Sequence, residues 1–405
     1  MTTRERELQA TLVRLSVLCA SSLKAVLGGH VGPAITDEEQ DGQALAEKIY
    51  NDAVVILRAV QKDTTALSLA MRPEKGKQVS DDSPPTSCID DASIESATKL
   101  LQGLATDHVP KLVFLANLAH KNRAVYKSVK GDEADEAARK FGTVLNAKHG
   151  ERVPGASVGT LFASEVKQAI GQIVDQTAQL CQSFMDPKTR AVLDNASRKR
   201  GDEPSSAPPP SRAYSLSLTK LLWSTCDSLI GTPDSRPPLE KRLPRNNQEA
   251  FAKLCKGNEE VLADATSEMK DALESDSDSD EQDEWADNVE LSDEEKELVK
   301  RAITLLESGT ALARAVRAAL LQRDVKADFD EAGDALVALV EAQDNVAAIA
   351  LYGDEAGDES LADIVDEYTV ACKRLAESSG TYRTEVISSA FTAVSDAASQ
   401  VSAII

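Results

Sequence analysis

Three serines stand where an acid-directed kinase would look for them. Ser275, Ser277 and Ser292 each precede a carboxylate by three residues: Asp278, Asp280 and Glu295. They lie in ESDSDSDEQDEWADNVELSDEE, residues 274–295, which hold twelve carboxylates, no base and one tryptophan, Trp285. Each phosphate would add about −1.5 to −2 charges. That is modest beside the existing field, so modification here tunes affinity for a basic partner rather than creating it. Ser292 has a second role open to it. Ser-x-x-Glu just ahead of Leu298 and Val299 is a capping box, in which the hydroxyl accepts a first-turn backbone N–H and Glu295 reaches back. Trp285 gains nothing from exposure in a charged run. It either docks on its own bundle or anchors a partner, with Asp283, Glu284 and Asp287 as its neighbouring candidate contacts.

The remaining chemistry-bearing residues do not assemble into a catalytic pattern. The four histidines, His30, His108, His120 and His149, show no HExxH order and no i,i+4 pair, so they read as surface or hydrogen-bonded histidines rather than zinc ligands. LGGHVGP (27–33) lacks the glycine order of a dinucleotide loop and a strand before it, and reads as a helix-ending loop. SSLK (21–24) matches Ser-x-x-Lys without its companion motifs. DFDEAG (328–333) has two carboxylates of a calcium loop but not the rest of one. The six cysteines, Cys19, Cys88, Cys181, Cys226, Cys255 and Cys372, form no CxxC pair and read as reduced, mostly core thiols of an intracellular protein. The expectation is a protein with no catalytic residues, no metal and no cofactor.

The charge balance narrows the partners. The formal net charge is −22, and about half of it sits in 274–295. Phosphate backbones and anionic lipid need clustered Lys and Arg, so direct nucleic-acid and membrane contact is not expected. The N-terminus, MTTRERELQATLVRL, has no signal-peptide core, and no stretch approaches 18 consecutive apolar residues.

One apolar period recurs along the chain. Val166, Ile170, Ile173, Thr177, Leu180 and Phe184 alternate at spacings of four and three, a seam of the bundle kind. Leu45, Ile49, Ala53, Ile56 and Val60 repeat it. So do Leu298, Ala302, Leu305, Gly309, Leu312 and Val316, then Leu361, Val365, Tyr368, Cys372 and Leu375. The last helix carries Val386, Ala390, Val394, Ala397, Val401 and Ile404, while Phe251, Leu254, Asn258, Val261, Ala265 and Met269 make a seam with a polar member. Asn258 reads either as a register-setting core amide or as a solvent-edge residue. Small seam residues such as Gly309 and Ala397 allow helices to approach closely. Aromatics are only 4% of the chain and no hairpin alternation appears. The fold class is all-α, long antiparallel helices in two helical-bundle domains.

The breaks set the expected boundaries. RPEKGKQVSDDSPPTSCIDDAS (72–93) is a long polar loop, and SRKRGDEPSSAPPPSRA (197–213) has linker composition. The reading is an N-terminal bundle over 1–197, a Pro/Ser-rich linker over 198–212, and a C-terminal bundle over 213–405 interrupted by an acidic loop at 274–291. Helices are expected near 4–27, 38–71, 91–129 with a break at Pro110, 132–148 and 157–185. Others follow near 214–230, 246–273, 292–322, 330–352, 358–378 and 382–404.

An ordered set of segments in the second half carries a family resemblance. SLTKLLWSTCDSLIGTP (217–233) leads into RNNQEAFAKLCKGNEEVLADATSEMKDALE (245–274), then the acidic run, then LSDEEKELVKRAITLLESGTALARAVR (291–317). The matching pieces are Lys256-Gly257-Asn258, Ser267-Glu268-Met269 and Ser292-Asp293-Glu294-Glu295; KDTTALSLA (62–70) and IGQIVDQTAQLC (170–181) are weaker ones. This order resembles the cyclin-D-binding protein family, the GCIP or HHM/Maid type. The resemblance implies a non-enzymatic helical regulator of cytoplasm and nucleus that binds D-type cyclins and helix-loop-helix factors, restrains proliferation or transcription, and lacks a DNA-binding basic region. It assigns no cyclin-contacting residue. Two other readings of the residues stand beside it: an acidic chaperone for histones or other basic proteins, and a vinculin/talin-like cytoskeletal adaptor.

Trp285 separates the roles of the acidic run. As a partner anchor, Trp285→Ala weakens the complex by about 2 kcal/mol or more with an unchanged melting temperature. As an internal contact, it lowers the melting temperature and leaves affinity alone. A change in neither reduces the run to a solvated linker.

Overall fold

The computed structural model of the protein describes residues 2–28, 34–36, 41–72, 89–128, 149–152, 156–199, 212–232, 234–275, 291–322, 325–353 and 360–404. They divide into two compact units, Met1–Asn246 and Asn247–Ile405. The fold is all-α, as the seams require.

The first unit is built from α1 (Thr3–Gly28), α2 (Gly42–Ala70), α3 (Asp91–Gly103), α4 (Val109–Lys121), α5 (Thr160–Ser183), α6 (Pro187–Lys199) and α7 (Arg212–Ile230). The α1 helix packs on α5 and α3, α5 on α4 and α7, and α2 on α7, α3 and α4. Every member of the seam from Val166 to Phe184 is buried, with Thr177 closing its hydroxyl onto the Ile173 carbonyl at 2.7 Å. The boundary expected at 198–212 falls inside this unit rather than between units. The α7 helix, expected to open the second bundle, buries Leu218, Leu222, Cys226 and Leu229 and packs on α5 and α2. Linker composition marks a solvated stretch, and the partner of the next helix is settled by its apolar face.

Pro110 leaves a distinct mark on the third long helix. Rather than breaking, α3 passes into a single π turn, Leu104–His108, from which α4 continues with Pro110 in its first turn. The Val109 N–H reaches back to the Leu104 carbonyl. This wider turn accommodates a residue with no N–H, which would otherwise clash with the preceding turn. The helix ends at Lys121, short of the expected 129, because Val125–Ser128 is a strand (β2). It pairs in parallel with β1 (Ala34–Thr36) and antiparallel with β3 (His149–Arg152), with β2 central. Ala34, Val125 and Ala156 form a small apolar cluster under this ribbon. Strands this short carry too few residues to show a period, so alternation in the residues does not reveal them. The helix expected over 132–148 lies outside the described residues.

The second unit contains α8 (Asn247–Ser275), α9 (Asp293–Leu320), α10 (Phe329–Tyr352), α11 (Leu361–Ser378) and α12 (Glu385–Ser402). The α9 helix touches all four others, α8 and α11 both lie against α10, and α12 packs on α11. Four seams need correction by one position: in α2, Ala46 and Leu57 are buried where Leu45 and Ile56 were expected, and in α9 Val299 is buried where Leu298 was. In α12, Val386 is 66% exposed and Ile387 is buried instead. In α8 the core is Phe251, Cys255, Leu262, Ala265 and Met269, with Val261 outward. A strict 4-3 repeat drifts against a straight helix of 3.6 residues per turn, and these are the places where the drift shows. Asn258 is half-buried, with its amide nitrogen enclosed and unpartnered. By length and composition α1 and α10 could each cross a membrane, but both serve as core helices of their bundles.

In the second bundle a close contact between helices falls at Gly309. The phenol of Tyr368, fully buried on α11, occupies the place where a Cβ at 309 would stand. Its hydroxyl donates to the Leu305 carbonyl one turn earlier at 3.5 Å. The small seam residue is therefore a socket for a large one. Overpacking of this kind costs about 1–3 kcal/mol, offset by about 1 kcal/mol of helix propensity gained by alanine. Gly309→Ala is expected to destabilise the second bundle by about 1 kcal/mol, the difference at mid-range, with partial recovery in Gly309→Ala/Tyr368→Phe. Urea denaturation followed by circular dichroism reads both; an unchanged midpoint for the single variant would show that the helices part freely.

Candidate functional site

The acidic run joins α8 to α9, two helices that pack on each other. Ser277, Asp283, Glu284, Trp285 and Asp287 lie outside the described residues. Ser275 is the last residue of α8. The two helices are clamped along their length by charge. Glu259 of α8 accepts from Arg317 of α9 at 2.8 Å and lies 3.6 Å from Arg314, and Lys270 reaches Glu307 at 2.6 Å. These pairs are partly or well exposed, so each contributes little by itself.

Ser292 is where the sequence reading and the structure meet in atomic detail. It is the N-cap of α9: the Glu295 N–H donates to its hydroxyl at 3.2 Å, and its own N–H donates to the Glu295 carboxylate at 2.6 Å. The capping box is complete. Asp293, Glu294 and Glu295 fill the first turn, where the helix dipole favours negative charge. Hydrogen bonding of the carboxyl with the Ser292 hydroxyl, and then with the Ser292 backbone N–H, holds Glu295 below the usual glutamate range.

Elsewhere the titratable groups are tied up in structure. His108, in the π turn, places Nε2 3.0 Å from Asp63 of α2 and Nδ1 3.2 Å from Asp107, which also pairs with Lys111 at 2.6 Å. The hydrogen-bonded reading holds for this histidine. The DFDEAG stretch starts a helix rather than holding calcium: Asp328 caps α10 by accepting from the Asp330 and Glu331 N–H groups, and Asp330 accepts from Asn247. Five cysteines are buried and free of disulfides. Burial pushes the thiols of Cys19, Cys226, Cys255 and Cys372 up to about 12 and that of Cys181 well above its ordinary value, so they stay protonated. Cys88 lies outside the described residues. Among those residues no group of three His, Cys, Asp or Glu side chains could hold a metal ion.

The cavity in the second bundle is small. It measures about 20 Å³ and is lined by Cys255, Glu259, Leu262, Thr310, Arg314 and Leu336, room for about one water molecule. One part of the surface escaped the sequence reading. Trp223 of α7 is 51% exposed, with Leu216 one heptad before it 42% exposed. The Trp223 carbonyl accepts from Gln61 of α2 at 3.4 Å, Gln61 donates also to Asp227 at 2.9 Å, and Ser68 bonds Thr219. The i,i+7 spacing of Leu216 and Trp223 was visible in LSLTKLLW, but periodicity alone does not say which seam of a helix faces inward.

The fold defines a protein built of two helical bundles. Residues 142–275 match the family described as Grap2 and cyclin-D-interacting, N-terminal. The resemblance read from the sequence is thus of the GCIP type over about a third of the chain, a stretch running through α5, α6, α7 and α8. The matched segment takes three helices from the first unit and one from the second. No curated protein matches the chain.

The cap yields a measurement. Ser292→Ala is expected to destabilise the second bundle by about 1 kcal/mol, the usual cost of losing a serine N-cap. The depressed Glu295 carboxyl adds a sign in pH. Its contribution is full above the ordinary glutamate range and is lost as pH falls through the lower folded value. Chemical denaturation of wild type and Ser292→Ala at neutral and acid pH should therefore show the gap narrowing on the acid side. A gap that widens there would contradict the capping role of Glu295.

Proposed function

We propose that the protein is a binding regulator of the cyclin-D-interacting kind rather than an enzyme, acting on D-type cyclins or helix-loop-helix regulators in cytoplasm and nucleus to restrain cell-cycle progression or transcription. The observation that carries this is the family match over 142–275. An all-α architecture with exposed helix faces and protonated, buried thiols agrees with it. In this reading Ser275 and Ser277 take phosphate from an acid-directed kinase and tune affinity. Ser292 is committed first to its helix cap.

The test is direct binding of the full chain to a purified D-type cyclin by biolayer interferometry. Saturable binding with a Kd at or below about 10 μM, roughly −7 kcal/mol, is expected at physiological salt. Absence of saturation, or equal and salt-labile binding of core histones, would replace this reading with that of an acidic chaperone.

A further inference from the structure

The first bundle carries a basic, apolar-lined face on a chain whose formal net charge is −22. On α2, positions 58, 62, 65 and 69 follow each other at helical spacings of four, three and four, position 72 comes three further on just past the helix end, and all are exposed. They read Arg58, Lys62, Thr65, Leu69 and Arg72. Beside them on α7 stand Leu216, Lys220 and Trp223. Two carboxylates lie in these stretches or one turn beyond them, and both are engaged. Asp63 bonds His108 on the side of α2 facing the π turn, and Asp227 accepts from Gln61. The Gln61 and Ser68 bonds between α2 and α7 fix the two helices, so the face is preformed.

We propose that the groove between α2 and α7 binds an acidic amphipathic helix of a partner protein. Leu69, Leu216 and Trp223 receive its apolar side. Leu216 and Trp223 are seven residues apart, about 10.5 Å along α7, the separation of an i,i+7 pair of anchors on a docking helix. Arg58, Lys62, Arg72 and Lys220 meet its carboxylates. Nucleic acid and anionic membrane would be repelled by the net charge of the chain, and four bases interleaved with three large apolar side chains do not make a phosphate-tracking surface. A half-exposed tryptophan is the residue type most enriched at protein-binding hot spots, and the arginines of the stripe share that enrichment. The proposal rests on the protein-binding reading above and specifies its surface.

The probe is a fluorescein-labelled synthetic amphipathic helix with leucines at i, i+3, i+4 and i+7 and glutamates on its other face. It is titrated by anisotropy against the full chain carrying Trp285→Phe. Saturable binding is expected, weakened about tenfold or more by Lys62→Glu/Lys220→Glu and about 30-fold by Trp223→Ala, with melting temperatures unmoved. A lysine-faced version of the peptide should bind the charge-reversed variant and not the parent. Absence of binding, or binding indifferent to these substitutions, overturns the proposal. So does binding that appears only after deletion of 276–290, which assigns the groove to the chain's own acidic run, or a Trp223-dependent dimer in sedimentation, which assigns it to a second copy. A D-type cyclin measured on the same variants separates the two readings. Cyclin bound equally by all variants leaves the function and removes this surface; a bound peptide without cyclin binding leaves the surface and removes the cyclin.

Discussion

Close packing of seams made largely of leucine, valine and alanine holds both bundles together. The side chains are small, so helix axes must come near each other before the interior is filled, and the few large residues must be given room. Tyr368 is the clearest case, seated where Gly309 has no Cβ. Phe162 and Phe251 are the other aromatic side chains among the largest fully buried ones, one in each unit. In such an interior, position on the helix matters more than hydrophobicity. A shift of one residue moves a side chain by about 100° and carries it out of the core.

Polar atoms inside the bundles fix how the helices align. Gln343 of α10 is fully buried and donates to the Leu262 carbonyl of α8 at 2.7 Å; Gln176 of α5 donates to Thr225 of α7 at 3.0 Å. Each leaves its amide oxygen without a partner. Apolar seams alone tolerate sliding by a turn, whereas a buried amide N–H that finds its acceptor in only one alignment does not. The same logic applies at Gln61, whose two acceptors on α7 set the groove that the α2 stripe borders.

Charge is distributed unevenly along the chain. The dense carboxylates of 274–295 sit between α8 and α9, and the bases Arg58, Lys62, Arg72 and Lys220 gather on a face of the first unit. Long-range repulsion is screened within about 10 Å at ordinary salt, so a basic stripe keeps its local character even on an acidic protein. In the proposed docking, the stripe would select its partner by local charge complementarity.

Much of this was legible in the residues themselves. The 3.5-residue period of 166–184 fixed a core seam, because no other backbone puts those side chains on one face. Ser-x-x-Glu at 292–295 fixed a helix start down to the hydrogen bonds, because capping involves only neighbours in sequence. The family resemblance was likewise carried by local order. Other features depended on residues distant in the chain. The π turn before Val109 answers a proline in a helix that tertiary packing keeps continuous. The short strands at 34–36, 125–128 and 149–152 exist only as each other's partners. The placement of α7 in the first unit was decided by the apolar face it found on α5 and α2, against the linker composition before it. Trp223 became a surface residue for the same reason: which seam of an amphipathic helix is buried depends on the helices beside it, and a single sequence does not specify those neighbours.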